Sequence, residues 1–153
     1  MIKKEYTFID LFAGAGGLSE GFIKAGFSPI AHIEMKQDAC NTLKTRSAFH
    51  YLKAQGKLSI YEDYLLMNKV EGTDGSILWN QVPPEVTNAA ICATIGEDTI
   101  NGIFKKVDAL KGDKTVDIII GGPPCQAYSI AGRARMGKAV EEDPRNELYK
   151  YYV

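Results

Sequence analysis

The 153-residue chain has no strong excess of either charge: 18 basic side chains stand against 19 acidic ones, for a formal net charge of -1. Proteins that grip nucleic acid by its backbone usually carry a basic surplus, so overall charge neither suggests nor excludes that partner. Cysteine is scarce, and Cys40, Cys92 and Cys125 are odd in number and lack C-x-x-C spacing, which argues against a disulfide framework or a zinc knuckle. The two histidines, His32 and His50, have no partners at metal-ligand spacing, so no metal is expected. Long apolar runs are also missing. Those around Ile91 and from Val116 to Ile120 fall far short of the roughly 20 residues a membrane-spanning helix needs. Met1 to Glu5 bring charge without an apolar stretch behind it, so no secretory signal is expected and the chain is assigned to the cytoplasm. What remains, 45% apolar and 24% charged residues without repeats, is the composition of one soluble globular domain.

Glycine is somewhat abundant, 15 of 153 residues, and it punctuates a regular order of elements. Tyr6 to Phe12 reads as a buried strand. The helical spacing of Leu18, Phe22 and Ala25 follows, closed by Gly26. Pro29 to Glu34 predicts a second strand and Gln37 to Arg46 a helix with acid first and base last. From Ser47 to Asn88 no single period persists, and this stretch reads as an inserted surface segment. Ala89 to Ile95 predicts a strand. Ile100, Ile103, Phe104, Val107 and Leu110 form one helical stripe ended by Gly112, and Val116 to Ile120 predicts a last strand, stopped by Gly121-Gly122-Pro123-Pro124. Alternating strands and helices imply an α/β fold, a mostly parallel sheet covered on both faces. Asn146 to Val153 begins a further element without a cap, so the fold is expected to be incomplete at its C-terminus.

Phe12-Ala13-Gly14-Ala15-Gly16-Gly17 lies between strand and helix, where glycines let the backbone approach a ligand closely. The third glycine of a dinucleotide fingerprint would fall at residue 19, which is Ser19, so the loop is of another subtype. Glu34, 20 residues after Gly14, ends the second strand, where an acidic side chain accepts hydrogen bonds from ribose hydroxyls. Cys125 follows the last strand at the edge where open α/β sheets place their sites, presented by Pro123 and Pro124, and reads as a nucleophile. Cys40 and Cys92 read as small buried side chains, and Trp79 as a local packing anchor. Gly132 to Ala139 is near a phosphate-binding loop but has Ala139 where a hydroxyl is needed, a chance match.

Phe8 to Leu18, Glu34-Met35, Gly121-Gly-Pro-Pro-Cys-Gln126 with Ser129, and Asp143 to Leu148 resemble, in order, successive motifs of the DNA (cytosine-5) methyltransferases. The resemblance spans the chain except Ser47 to Asn88. It implies a Rossmann-like S-adenosylmethionine-dependent fold in which Phe12, Ala13, Gly14, Ala15, Gly16, Gly17 and Leu18 line the S-adenosyl-L-methionine pocket. By the same resemblance Glu34 holds the ribose, Met35 packs on the adenine, and Pro124 and Leu148 complete the wall. The family's third motif supplies an Asp near the adenine amino group. Asp98 is the candidate, although Gly96-Glu97-Asp98-Thr99 departs from the expected Gly-Asp-Ile, and an N-cap for the following helix is an equal reading.

The resemblance makes Cys125 the nucleophile on a cytosine flipped out of double-stranded DNA. Gln126, Ser129, Arg133 and Arg135, in the loop from Gln126 to Glu142, become candidate DNA contacts, with a plain solvated loop as the alternative. Later motifs and a target-recognition domain of the family are not found before Val153. The chain therefore reads as the N-terminal portion of the catalytic domain, 1–153. Little methylation is expected of it alone, and a second chain is a possible supplier of the rest. Two other classes stay open, an NAD-type oxidoreductase domain and a non-catalytic interaction subunit.

Overall fold

Short runs rich in β-branched and aromatic residues, separated by glycine turns, become the strands of one sheet in the computed structural model, which describes residues 5–71, 74–123 and 150. The strands are β1 (Tyr6–Leu11), β2 (Phe27–Glu34), β3 (Ala90–Cys92) and β4 (Ile118–Gly121). All pairings are parallel, in spatial order β3-β2-β1-β4. Parallel neighbours need crossover connections. Helix α1 (Gly17–Lys24) carries the chain from β1 to β2, and α2 (Gln37–Ala54), α3 (Leu58–Glu71), α4 (Ser76–Trp79) and α5 (Pro84–Asn88) intervene before β3. Helix α6 (Glu97–Lys111) then leads to β4, on the far side of β1. The order of strands thus reverses between β1 and β4, and a crevice opens at the carboxyl edge of such a switch point.

The two faces of the sheet carry different chemistry. Ile9, Ala31, Ile33 and Ile91 pack with Ile103 and Val107 of α6, an apolar layer. The opposite face presents Phe8, Asp10 and His32 to α1, with the Phe8 and Phe22 rings 5.5 Å apart and Phe8 6.1 Å from His32. Phe8 pairs with Pro29 and Ile9 with Ala31, so Ile30 forms a bulge next to a proline that has no N–H to offer a ladder. Beyond the bulge Asp10 pairs with His32, and Asp10 and Ser19 are both buried beneath the loop after β1.

Three elements depart from the sequence reading. Helix α2 does not stop at Arg46 but runs to Ala54, and the described residues from 47 to 88 are mostly helical where no persistent period was expected. Ala48, Leu52, Tyr64, Leu78 and Val82 form a second core there. Helix α2 gives it two of these residues, α3 and α4 one each, and Val82 comes from the turn before α5, so tertiary packing rather than an amphipathic stripe holds them. Trp79 anchors this core as expected: its indole N–H donates to Thr45 Oγ1 at 3.2 Å, and Lys44 Nζ lies 4.9 Å from the ring centroid. Its ring crowds Gly75, where a Cβ would collide with it. Strand β3 is shorter than Ala89 to Ile95, and Cys92 at its end is exposed rather than buried, whereas Cys40 is fully buried. Among the described residues no helix is long and apolar enough to cross a membrane.

Candidate functional site

The loop leaving β1 begins with a residue in an uncommon conformation. Phe12 has φ 59°, a left-handed value that a bulky side chain adopts only under constraint, and it turns the chain out of the sheet. The Ala13 amide donates to Ile33 O at 3.0 Å, and the Gly16 amide donates back to Ala13 O at 2.9 Å. Gly16, with φ 83°, caps α1 and lies against α2: a Cβ there would stand 2.9 Å from Leu43 Cδ2. At Gly14 and Gly17 a Cβ would meet nothing within 4 Å, so this side of the loop faces open space.

Glu34 joins this loop to the end of β2. Its Oε2 accepts from the Gly14 amide at 2.9 Å and its Oε1 from the Lys36 amide at 2.8 Å, while the side chain is 9% exposed. Both oxygens are therefore fixed by backbone, and each keeps a second lone pair for an incoming hydroxyl. Met35, next to it, is 61% exposed, and Leu18 is also exposed, so apolar surface borders the carboxylate. A carboxylate, open glycine backbone and an apolar shelf suit a nucleoside-bearing ligand. On the other side of the switch point Gly121 pairs with Leu11, which brings the start of the loop after β4 beside the glycine loop.

The candidate residues are thus only partly gathered here. Phe12 to Leu18, Glu34 and Met35 share the carboxyl edge. Asp98 lies not at the end of β3 but exposed in the first turn of α6, and Gly96 occupies the N-cap without a side-chain hydrogen bond, so Asp98 is not the cap. Pro124, Cys125, Gln126, Ser129, Arg133, Arg135 and Leu148 lie outside the described residues.

Sequence reasoning missed the polar cluster beneath the loop. Ser19 Oγ donates to Asp10 Oδ2 at 2.5 Å and lies 3.0 Å from His32 Nδ1, with all three residues buried. Burial raises the Asp10 carboxyl above its usual range, offset in part by the Ser19 hydrogen bond. Burial, with the Arg46 charge adding to it, holds His32 down to about 4, so its imidazole is neutral near pH 7. An aspartate in the middle of an apolar strand was the available signal. Nearby, Glu20 of α1 takes Arg46 at 3.0 Å and His50 at 2.6 Å, both from α2. Burial pulls the Glu20 carboxyl up, but the hydrogen bond and close approach of His50, together with the Arg46 guanidinium, bring it below its ordinary value. A cavity of about 480 Å³ between these helices and β2, lined by Ser19, Glu20, His32, Arg46 and His50, reaches only the back of Gly16. It lies away from the open side of the loop.

A parallel sheet with its order reversed beside a glycine loop, and an acid at the end of the next strand, defines a Rossmann-like α/β protein. The family model described as C-5 cytosine-specific DNA methylase matches residues 6–66 and 89–153, and the chain belongs to that family. It is 39% identical to the type II methyltransferase M.Bpa9945I of Bacillus paralicheniformis over 94% of this chain and 36% of that protein. Identity is 31% to M1.HphI of Haemophilus parahaemolyticus, over 96% of this chain and 28% of the relative. It is 32% to M.AquIA of a Picosynechococcus species, over 94% of this chain and 40% of the relative. The chain thus spans between a quarter and two fifths of the length of these relatives. No solved structure matches it.

Proposed function

We propose that this chain is the cofactor-binding and nucleophile-bearing part of a DNA (cytosine-5) methyltransferase of the restriction–modification kind, working in the cytoplasm with S-adenosyl-L-methionine as methyl donor. The observation that carries the reading is the glycine loop roped to the Glu34 carboxylate at the switch point of a family member's sheet. When bound, S-adenosylmethionine supplies an electrophilic methyl group on a sulfonium sulfur. Glu34 offers its remaining lone pairs to the ribose hydroxyls, Met35 and Leu18 give apolar cover, and Gly14 and Gly17 leave room for close approach.

Cys125 acts on the base. Cytosine C5 is a weak nucleophile, but the Cys125 thiolate adds to C6 and pushes electron density to C5, which then takes the methyl group. Loss of the C5 proton to a base and departure of the thiolate restore the aromatic ring. Neither carbon is reachable inside a duplex, so the cytosine is turned out of the stack first. Gln126, Ser129, Arg133 and Arg135 contact that DNA, and Pro124 and Leu148 complete the cofactor wall. In this reading the groups that select a DNA sequence come from outside the 153 residues, on the same polypeptide or on a second chain.

Calorimetric titration of the chain with S-adenosylmethionine, and separately with NAD, tests the pocket. Saturable S-adenosylmethionine binding is expected, weakened about tenfold or more in Glu34→Ala because a charged acceptor is lost, with no NAD binding. NAD binding without S-adenosylmethionine binding would favour an oxidoreductase domain. Binding of neither would overturn the pocket as read.

A further inference from the structure

Ser19 stands where a dinucleotide fingerprint has its third glycine, a position whose smallness lets the helix pack closely on the strand. Here the side chain is larger and does something else. Ser19 is 2% exposed, in the first turn of α1, and its hydroxyl meets Asp10 of β1 and His32 of β2. These are the three elements that hold the glycine loop. A serine has one proton to give. Donated to Asp10 Oδ2, it leaves Ser19 Oγ to accept from His32 Nδ1–H, so the contacts imply one tautomer of the imidazole. Asp10 Oδ1 has no hydrogen-bond partner among the described residues, which leaves the Ser19 hydroxyl as the contact that satisfies this buried carboxyl.

We infer that Ser19 is a positioning residue for the cofactor: its hydroxyl clamps the start of α1 to β1 and β2, and so holds Gly14 to Gly17 in the shape that receives S-adenosylmethionine. The inference rests on the function proposed above and assigns a use to a residue that touches no ligand. Other contacts restrain the loop as well. On its own side it is held by the Gly14 amide on Glu34, the Ala13 amide on Ile33 O, and the turn from Gly16 to Ala13. The adjoining amide of Glu20 bonds Gly16 O in the same turn of α1 that carries Ser19. Motion of that turn is therefore passed directly to Gly16.

Removing the hydroxyl also strands a buried carboxyl, which lowers stability whether or not the loop matters. Two variants separate these effects. Ser19→Ala removes the clamp and leaves Asp10 unpaired. Ser19→Ala with Asp10→Val removes the clamp and the stranded carboxyl together, which general experience with paired polar groups finds nearly neutral. The readouts are urea stability, S-adenosylmethionine titration, and hydrogen exchange of the Gly14 and Gly16 amides against those of β1. Positioning predicts that the double variant regains stability but still binds about tenfold more weakly, with loop amides exchanging about tenfold faster, the worth of one hydrogen bond to a charged group. Recovery of binding together with stability would reduce Ser19 to a core residue and overturn the inference. So would unchanged loop exchange in Ser19→Ala, which decides the matter by itself if the double variant does not fold. Should the unsubstituted chain bind no S-adenosylmethionine, the proposed function fails, while amide exchange still tests the clamp.

Discussion

The molecule contains two regions built on different terms. The sheet with α1 and α6 draws its core from regular alternation and a helical stripe: Ile9, Ile33 and Ile91 inward from strands, Ile103 and Val107 from α6. The helical region, from the second half of α2 through α5, gathers Ala48, Leu52, Tyr64, Leu78 and Val82 from scattered positions. Family likeness cuts across this division: the matched stretches, 6–66 and 89–153, take in all of α2 and most of α3 and leave out residues 67–88. The site lies in the first region, yet α2 belongs to both: Leu43 backs Gly16, Arg46 and His50 grip Glu20, and Leu52 fills the helical core. The helix that braces the loop is thus one the family pattern includes, and it carries the helical core with it.

The sharpest way to break this comparison is to empty the helical core. Leu52→Ala, at a site 1% exposed, is expected to lower stability by about 2–5 kcal/mol, the range for a buried leucine losing its side chain. Because α2 is shared, urea unfolding followed by fluorescence of the single tryptophan, Trp79, and by amide exchange in β1 should give one transition. Two separated transitions would show that the helical region melts alone and does not support the site.

Acid addresses the polar face of the sheet. His32 sits at about 4 in the folded chain against 6.5 for an unburied imidazole. Below about pH 6.5 the unfolded chain therefore binds a proton that the folded chain refuses, and stability falls with pH until about pH 4, by at most about 3 kcal/mol. Glu20, held below its ordinary value, adds to the loss at the acid end, because it must be protonated there. Asp10 has the opposite sign: its raised pKa favours the folded chain as pH drops and offsets part of the loss. Urea titrations at about pH 7 and pH 5 of the chain and of His32→Gln isolate the His32 share of the slope, and equal slopes in the two would mean that His32 is not held neutral by burial.

A smaller effect is expected at the joint between the regions. Gly16→Ala must take a left-handed φ of 83° and push Leu43 aside, for a loss of about 1–3 kcal/mol. The same change at Gly17, whose Cβ would meet nothing within 4 Å, should cost far less. Equal losses at the two positions would show that helix α2 yields easily and does not brace the loop.

How much of this was legible beforehand differs by residue. Gly14, Glu34 and the β1–α1–β2 order follow from local signals, because a glycine turn and an acid 20 residues on act within one supersecondary unit. The same logic explains Gly112, whose φ of 52° ends α6 where the stripe predicted. It failed for Asp98, placed by analogy at a strand end that stops earlier, at Cys92. It failed for Ser19 too, which local reasoning counted as a missing glycine.

The amino-acid sequence by itself determined the parallel α/β order, the glycine loop and the family motifs, since these depend on periodicity, backbone freedom and residue identity over short distances. Only the tertiary structure decided that the described residues from 47 to 88 fold mostly as helices around a core of their own. It also decided that Ser19 is buried between Asp10 and His32 and that Cys92 is exposed. Those outcomes depend on which distant side chains share one desolvated volume, and in such a volume a hydrogen bond or a collision outweighs local preference.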